Sequence, residues 1–421
     1  MRTKILAALT IAALTAPVGS ASAVPPLAGG ALASSNIDLV ANIPFAGAIG
    51  AKLIGDYMYV TGGAGLTIYD VSEGMPVPTG ALALPHFENE QVDGNGDVLA
   101  ISADFFVLGD RANMVALIDT SDKNAPLLAS LTRTGDGHTG TCVQNCKYLW
   151  LSGGDVWDIS DPANPVDKGE QPGGYVHNWN IDKAGFAWGD GTRVLDLNNY
   201  GPGNLTSPPD TGALGYFGWH NSMRPYADEV TPAQFEDTQV DRGEVVFGAG
   251  EDLYDFFGVE GNCAGQDRVT ATHFRKLPGG GYKLTQLDTW DVALNGTDLD
   301  YKPTAATFCS AHWLDVNDDI LAVGWYEQGT RILDVSDPTN LRQIGYFMPL
   351  ETQTWGAYFK EVPGDGLYIY SIDLLRGIDV LKFDGSASDA EVKAPRLNPT
   401  NPAFAPDSEY GWNCRVPVTS I

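Results

Sequence analysis

Hydrophobic and polar positions alternate along this chain in short bursts that end on an acid and a turn. The clearest burst is residues 329–349, GTRILDVSDPTNLRQIGYFMP. Thr330, Ile332 and their neighbours follow the period of two expected of a half-buried strand over 330–335. Ser336-Asp337-Pro338 then stops the strand: the Asp side chain bonds backbone ahead of it, and Pro fixes φ and removes a donor. A second strand runs on to Phe347. The same phrase returns from Gly65 (GLTIYDVSEGMPVPTGALALP), Asn113 (NMVALIDTSDKNAPLLASL), Gly153 (GGDVWDISDPANPVDKGEQP), Gly191 (GTRVLDLNNYGPGNL) and, less clearly, Arg376 (RGIDVLKFDG). Asp70, Asp119, Asp158, Asp196 and Asp334 close the first strand of each clear copy. A unit repeated at roughly forty to fifty residues has the length of a four-stranded propeller blade.

Seven such units fit between Ala46 and Phe383, so the fold expected is an all-β, seven-bladed β-propeller of four-stranded antiparallel blades. The units run 46–82, 84–131, 137–171, 174–213, 215–287, 307–347 and 352–383. Ile37–Ile43 reads as a strand without a blade. It is expected to complete the last blade, closing the ring so that no edge is left unpaired. The domain reading is therefore a propeller over 37–385, preceded by a Pro/Ala/Gly linker at 24–36 and followed by a Pro-rich tail at 386–421. The insertion at 224–242 is acidic and is expected to loop over one face; 288–304 is another long connection, and connections of such length tend to be functional or disordered.

The phrase resembles the LVIVD repeat. The blocks GWHNS (218–222), FCSAHW (308–313), VGWYEQGTRILDVSDP (323–338) and TWGAYF (354–359) are similar to exported LVIVD-repeat proteins of high-GC Gram-positive bacteria. That resemblance implies a propeller and an extracellular location.

Residues 1–23 carry Arg2 and Lys4, an apolar run too short to span a bilayer, and Ala21-Ser22-Ala23. This is the form of a secretion signal. Later segments are not apolar for long enough to span. Twenty-five Lys and Arg stand against 53 Asp and Glu, a formal charge of -28. Such a surface repels nucleic acid and anionic lipid and suits basic ligands or divalent cations. The expectation is a secreted monomer whose partner is an extracellular ligand or protein. Cys142 with Cys146, and Cys263 with Cys309, are candidate disulfides in an exported chain, with Cys414 left over. A Cys-x3-Cys zinc half-site is the alternative at 142–146. Asp93-Gly94-Asn95-Gly96-Asp97 resembles half of a calcium loop but has Val98 where Gly is needed, so a hairpin turn is expected.

The candidate chemistry lies in the histidines. Five of the six occupy one place in the repeat, at the start of the inner strand: His86, His138, His177, His220 and His312. Blade seven has Trp355 there, and His273 sits in an outer phrase. Inner strands line the channel of a propeller, and the loops between second and third strands return to the same mouth. Those loops hold Asp104, Asp190, Glu251, Asp252 and Glu327. Imidazole nitrogens with carboxylates form a ligand set for Zn, Mn, Fe or Cu. His177, His220, His312 and Glu251 are the expected metal ligands. His86, His138, Asp252, Trp355 and Glu327 are expected on the surrounding ligand-binding rim. The competing reading is structural: in a WD-type blade a His ahead of the inner strand bonds an acid in that loop and holds the blade together. Two functions follow, a binding module with a metal or ligand at the rim, or a metal-dependent hydrolase, lyase or oxidase at the same place.

Overall fold

The computed structural model describes residues 31–106, 113–135, 137–170, 175–189, 193–198, 219–229, 240–251, 268–276, 282–292, 310–349 and 351–385. The expected signal 1–23, the tail 386–421, Asp190, Asp252, Cys263, Cys309 and Cys414 lie outside them.

Seven antiparallel sheets follow one another in chain order. Blade one is Ala48–Ile54, Tyr57–Gly62, Gly65–Asp70 and Val77–Leu82. Blade two is Val92–Gly94, Val98–Ala103, Met114–Asp119 and Leu127–Arg133. Blade three is Gly140–Val143, Tyr148–Leu151, Asp155–Asp158 and Val166–Glu170. Blade four has three described strands, Trp179–Ile181, Phe186–Gly189 and Arg193–Asp196. Blade five is Trp219–Met223, Val245–Gly250, Val269–Lys276 and Tyr282–Trp290. Blade six is Leu314–Asn317, Ile320–Gly324, Thr330–Asp334 and Arg342–Pro349. Blade seven is Thr354–Val362, Gly366–Asp373 and Gly377–Phe383, completed by Ile37–Ile43 from the other end of the chain, paired from Ile37↔Phe383 to Ile43↔Ile378. The fold is a seven-bladed β-propeller closed as the repeat arithmetic requires.

The core sits between blades. One apolar cluster fills each of the seven blade-to-blade interfaces, the last joining blade seven to blade one through Tyr370, Ile372 and Val380 against Met58 and Val60. Because neighbours cover both faces of a blade, second strands are not half-buried: Val245–Gly250 is buried at every residue. Outer strands meet water, and Val166–Glu170 is exposed throughout. A strand buried on both faces reads as a continuous apolar run, as in a parallel sheet.

The repeated Asp is a turn device. Oδ1 of Asp70, Asp119, Asp158, Asp196 and Asp334 accepts the backbone N–H two residues on, at 2.9–3.1 Å. Those hydrogen bonds favour the carboxylate, and the Asp70, Asp119 and Asp158 carboxyls titrate below their usual range. Asp93–Asp97 is the hairpin expected: Asn95 Oδ1 accepts the N–H of Asp97 and Val98. Cys142 and Cys146 form a disulfide across a short turn. No helix among the described residues is long and apolar enough to cross a membrane.

Two features depart from the sequence reading. Ala31–Ala33, placed in the linker, is a fifth strand on blade six, pairing Phe347–Pro349. His86–Phe87 and Phe105–Phe106 form a separate two-stranded ribbon at blade two. The three alanine-rich residues carry no alternation, and the ribbon strands are two residues each, so neither leaves a periodic signal.

Candidate metal centre

All seven inner strands begin at one mouth of the channel, and in three of them a bulge aims one side chain inward. In blades one, five and seven the pairing skips a residue: Ile49, His220 and Trp355 are each the extra residue of a bulge. A bulge re-aims the side chain it carries. Interblade hydrogen bonds fix the equivalent positions elsewhere. Asp93 Oδ2 accepts the N–H of Cys142 at 2.8 Å, and Asp315 Oδ2 accepts that of Phe359 at 2.9 Å. Asp93 and Asp315 stand three residues after Glu90 and His312; Cys142 and Phe359 stand four after His138 and Trp355. From blade one to blade seven the position is thus Ile49, Glu90, His138, His177, His220, His312 and Trp355.

Four imidazoles meet one carboxylate. Glu90 Oε2 lies 3.2 Å from His138 Nε2, 3.2 Å from His177 Nε2 and 3.1 Å from His220 Nε2, and Glu90 Oε1 lies 3.4 Å from His312 Nε2. Successive rings from His138 to His312 are 4.8, 4.0 and 4.2 Å apart at their centroids, an arc around Glu90. Ligand atoms of Glu90, His220 and His312 fall within 4.8 Å of one another, as do those of Glu90, His138 and His177. On the far side of the rings, His220 Nδ1 meets Glu251 Oε2 at 2.9 Å, and Tyr326 Oη donates to the other oxygen of Glu251. His312 Nδ1 donates to the Trp355 carbonyl at 2.6 Å. His138 Nδ1 is 3.2 Å from Asp104 Oδ2. Such outer contacts fix ring orientation and tautomer, leaving Nε2 to face the centre. Groups of this kind, so arranged, are positioned to hold a metal ion.

Glu90, His220 and His312 are 5%, 5% and 1% exposed, so their charges are little screened. Burial pushes the Glu90 carboxyl up, but the positive charge of His220, His138 and His312 outweighs it and holds Glu90 well below the carboxylate range. Burial pushes His220 down, and Glu251 and Glu90 reverse this, raising it to about 10. Burial raises Glu251 and His220 lowers it, to about 2. Burial, then repulsion from His220, lowers His177 below the usual imidazole range.

These shifts set a pH window for the metal-free protein. The raised His220 contributes stability present below its unfolded pKa of about 6.5 and lost as pH rises toward about 10. The depressed Glu251 contributes stability present above about 4.5 and lost as pH falls toward about 2. Glu251→Gln in chelator-treated protein is therefore expected to cost about 2 kcal/mol between pH 4.5 and 6.5. The difference from the parent should shrink on either side. Urea denaturation across pH checks it, and a pH-independent difference would contradict the ion-pair account.

Of the expected ligands, His177, His220 and His312 come together, and His138, expected on the rim, joins them. Glu251 stands behind His220 rather than among the Nε2 atoms. Trp355 contributes its carbonyl and an edge-on ring 4.9 Å from His312. Glu327 is buried and accepts from Gln353. His86 belongs to the blade-two ribbon, where Nδ1 bonds the Leu84 carbonyl at 2.7 Å and burial holds the ring at about 4. His273 pairs with Glu244 at 2.8 Å in the outer layer. The residue missed is Glu90. In PHFENEQVDG it stands two places ahead of the inner strand, as His138 does in GHTGTC, but a search for histidine at that position selects His86. The structural reading accounts for the acids on Nδ1 of His138 and His220. It does not account for four Nε2 atoms gathered on a fifth side chain.

A sequence profile of the LVIVD repeat matches residues 48–74, the first three strands of blade one. No curated protein matches the chain by sequence. Among solved structures, the β-propeller domain of Cps50 (Swd1) from Myceliophteria thermophila is similar over 82% of this chain and 99% of its own, with 10% identity and a TM-score of 0.50. A putative 6-phosphogluconolactonase from Bacteroides fragilis is similar over 80% of this chain and 94% of its own, with 14% identity and a TM-score of 0.46. At 10% identity the likeness to the Cps50 domain is one of fold.

Proposed function

We propose that this chain is an exported propeller that binds one divalent transition-metal ion at its channel mouth, on Nε2 of His138, His177, His220 and His312 with the carboxylate of Glu90. One observation carries the reading: four Nε2 atoms lie within 3.1–3.4 Å of the one carboxylate of Glu90, and among them Glu90 Oε2, His220 Nε2 and His312 Nε2, all buried, form no hydrogen bond of good geometry. Buried polar atoms are normally hydrogen-bonded, and one carboxylate cannot bond four imidazoles at once, so the gathered lone pairs call for an ion. Five donors exceed the four of a tetrahedral structural zinc site, which favours a five- or six-coordinate ion such as Mn, Fe or Cu. When bound, the ion supplies Lewis acidity to a ligand at a remaining position. The residues behind the rings, Glu251, Tyr326 and the Trp355 carbonyl, keep the imidazoles aimed. The disulfide suits an oxidising compartment, in keeping with export.

Metal analysis of protein purified without chelator tests this. About one equivalent of a transition metal is expected in this centre. His220→Ala is expected to lower affinity by more than the 10–100-fold typical of changes behind a ligand, with far-ultraviolet circular dichroism unchanged. An ion retained equally by His220→Ala and by Glu90→Gln would overturn the proposal.

A further inference from the structure

The ribbon of His86–Phe87 with Phe105–Phe106 has no counterpart at the same place in the other blades among the described residues. Its consequence is local and chemical. Glu88 leaves one ribbon strand in the left-handed region, at φ 54, and Asp104 leads into the other, its N–H bonded to the Glu88 carbonyl at 3.4 Å. Two carboxylates are thereby held against each other beside His138. Ligand atoms of Glu88, Asp104 and His138 lie within 4.8 Å of one another. His138 Nδ1 is 3.2 Å from Asp104 Oδ2 and 3.9 Å from Glu88 Oε2, while its Nε2 is 3.2 Å from Glu90 Oε2. No lysine or arginine among the described residues pairs with either acid. His220 offers the instructive contrast. It too has an acid on each side, but Glu251 is 11% exposed and capped by Tyr326, closed to an ion from solvent. The side chains of Glu88 and Asp104 are 33% and 39% exposed. Like charges pressed together need a cation or a proton between them; in the metal-free protein the His138 imidazolium answers both acids, and once deprotonated its Nδ1 completes a ligand set on the solvent side.

We propose that Glu88, Asp104 and Nδ1 of His138 bind a second divalent cation, so that the His138 ring joins two ions, one on each nitrogen. This rests on the single-ion reading above and extends it. Two carboxylate oxygens and one imidazole nitrogen suit Zn, Mn or Cu, with water filling the remaining positions. In the doubly loaded state His138 serves as an imidazolate, its remaining ring proton passing to buffer as the second ion binds.

The test uses the full chain, stripped with chelator, loaded with copper(II), and passed over a chelating resin to remove surface-bound ions. Two equivalents are expected in the parent, with an electron paramagnetic resonance signal weaker than two isolated copper(II) ions give. The Glu88→Gln/Asp104→Asn double variant should retain one equivalent, with the full signal of an isolated ion. One equivalent in parent and double variant alike would overturn the second site and leave the inner one standing. Two equivalents in both would overturn the assignment to Glu88 and Asp104. None in the parent would overturn both sites. Thermal melts of the chelator-stripped proteins separate loss of the site from loss of fold.

Discussion

A chain that begins at Pro44 is expected not to fold as a stable monomer. Ile37–Ile43 is the outer strand of blade seven, and without it the strand Gly377–Phe383, buried at all positions but Lys382, becomes an open edge. Ile37 and Ala41 are buried, and Leu39 and Ile43 pack against interface clusters. At about 1.5–3 kcal/mol for each large side chain fully buried, less for those partly covered, the loss is roughly 5 kcal/mol. That approaches the whole stability of many domains, about 5–15 kcal/mol. Lost with it are the bond from Asn42 Nδ2 to Asp379 Oδ1, at 2.8 Å, and the strand Ala31–Ala33 on blade six. An unpaired, apolar edge also templates association. Size-exclusion chromatography and thermal melting check this: aggregation, or a melting point lower by more than about 10 °C, is expected. Partial rescue by an added peptide of residues 31–43 should follow. A truncated chain that melts within a few degrees of the parent would mean that the ring does not depend on this closure.

The second large effect is expected at the glycine that opens the repeat phrase. Gly65, Gly329 and Gly377 have φ of +98°, +70° and +93°, and a Cβ built on each would overlap a backbone carbonyl: that of Leu82, Phe347 and Ile43 respectively. In each case that carbonyl belongs to the outer-strand partner at the end of the blade. Gly329→Ala thus combines a left-handed conformation costing about 1–3 kcal/mol with a clash against backbone that cannot rotate away, about 1–3 kcal/mol more. A loss of about 3 kcal/mol or more is expected in urea denaturation. Gly364→Ala, also at positive φ but with open space around its Cβ, should cost less than half as much. Equal costs at both positions would show that φ alone matters and that the blade does not press on its glycine.

How much of this was legible in the chain follows from the range of each interaction. The repeat phrase is local. Alternation, the Asp that accepts the N–H two residues on and the turn prolines all act within a few residues, so seven blades and their ring closure could be counted from residue types alone. The common position of the histidines was legible for the same reason, since each copy of the unit carries it to the same place on its inner strand.

What only the tertiary structure decided is which side chains meet. Glu90 is equivalent to the histidines through interblade bonds such as that of Asp93 to Cys142, which no single blade contains. His86, nearer to the motif in sequence, is drawn into a ribbon with a segment about twenty residues on. Glu251 and Asp104 lie behind rings whose other nitrogens face inward, a distinction set by ring orientation. Strand signals arise from neighbours along the backbone and survive in a string of letters. Convergence of Nε2 atoms from blades three to six on a carboxylate of blade two exists only after a closed circle of packed sheets has brought five distant segments to one opening.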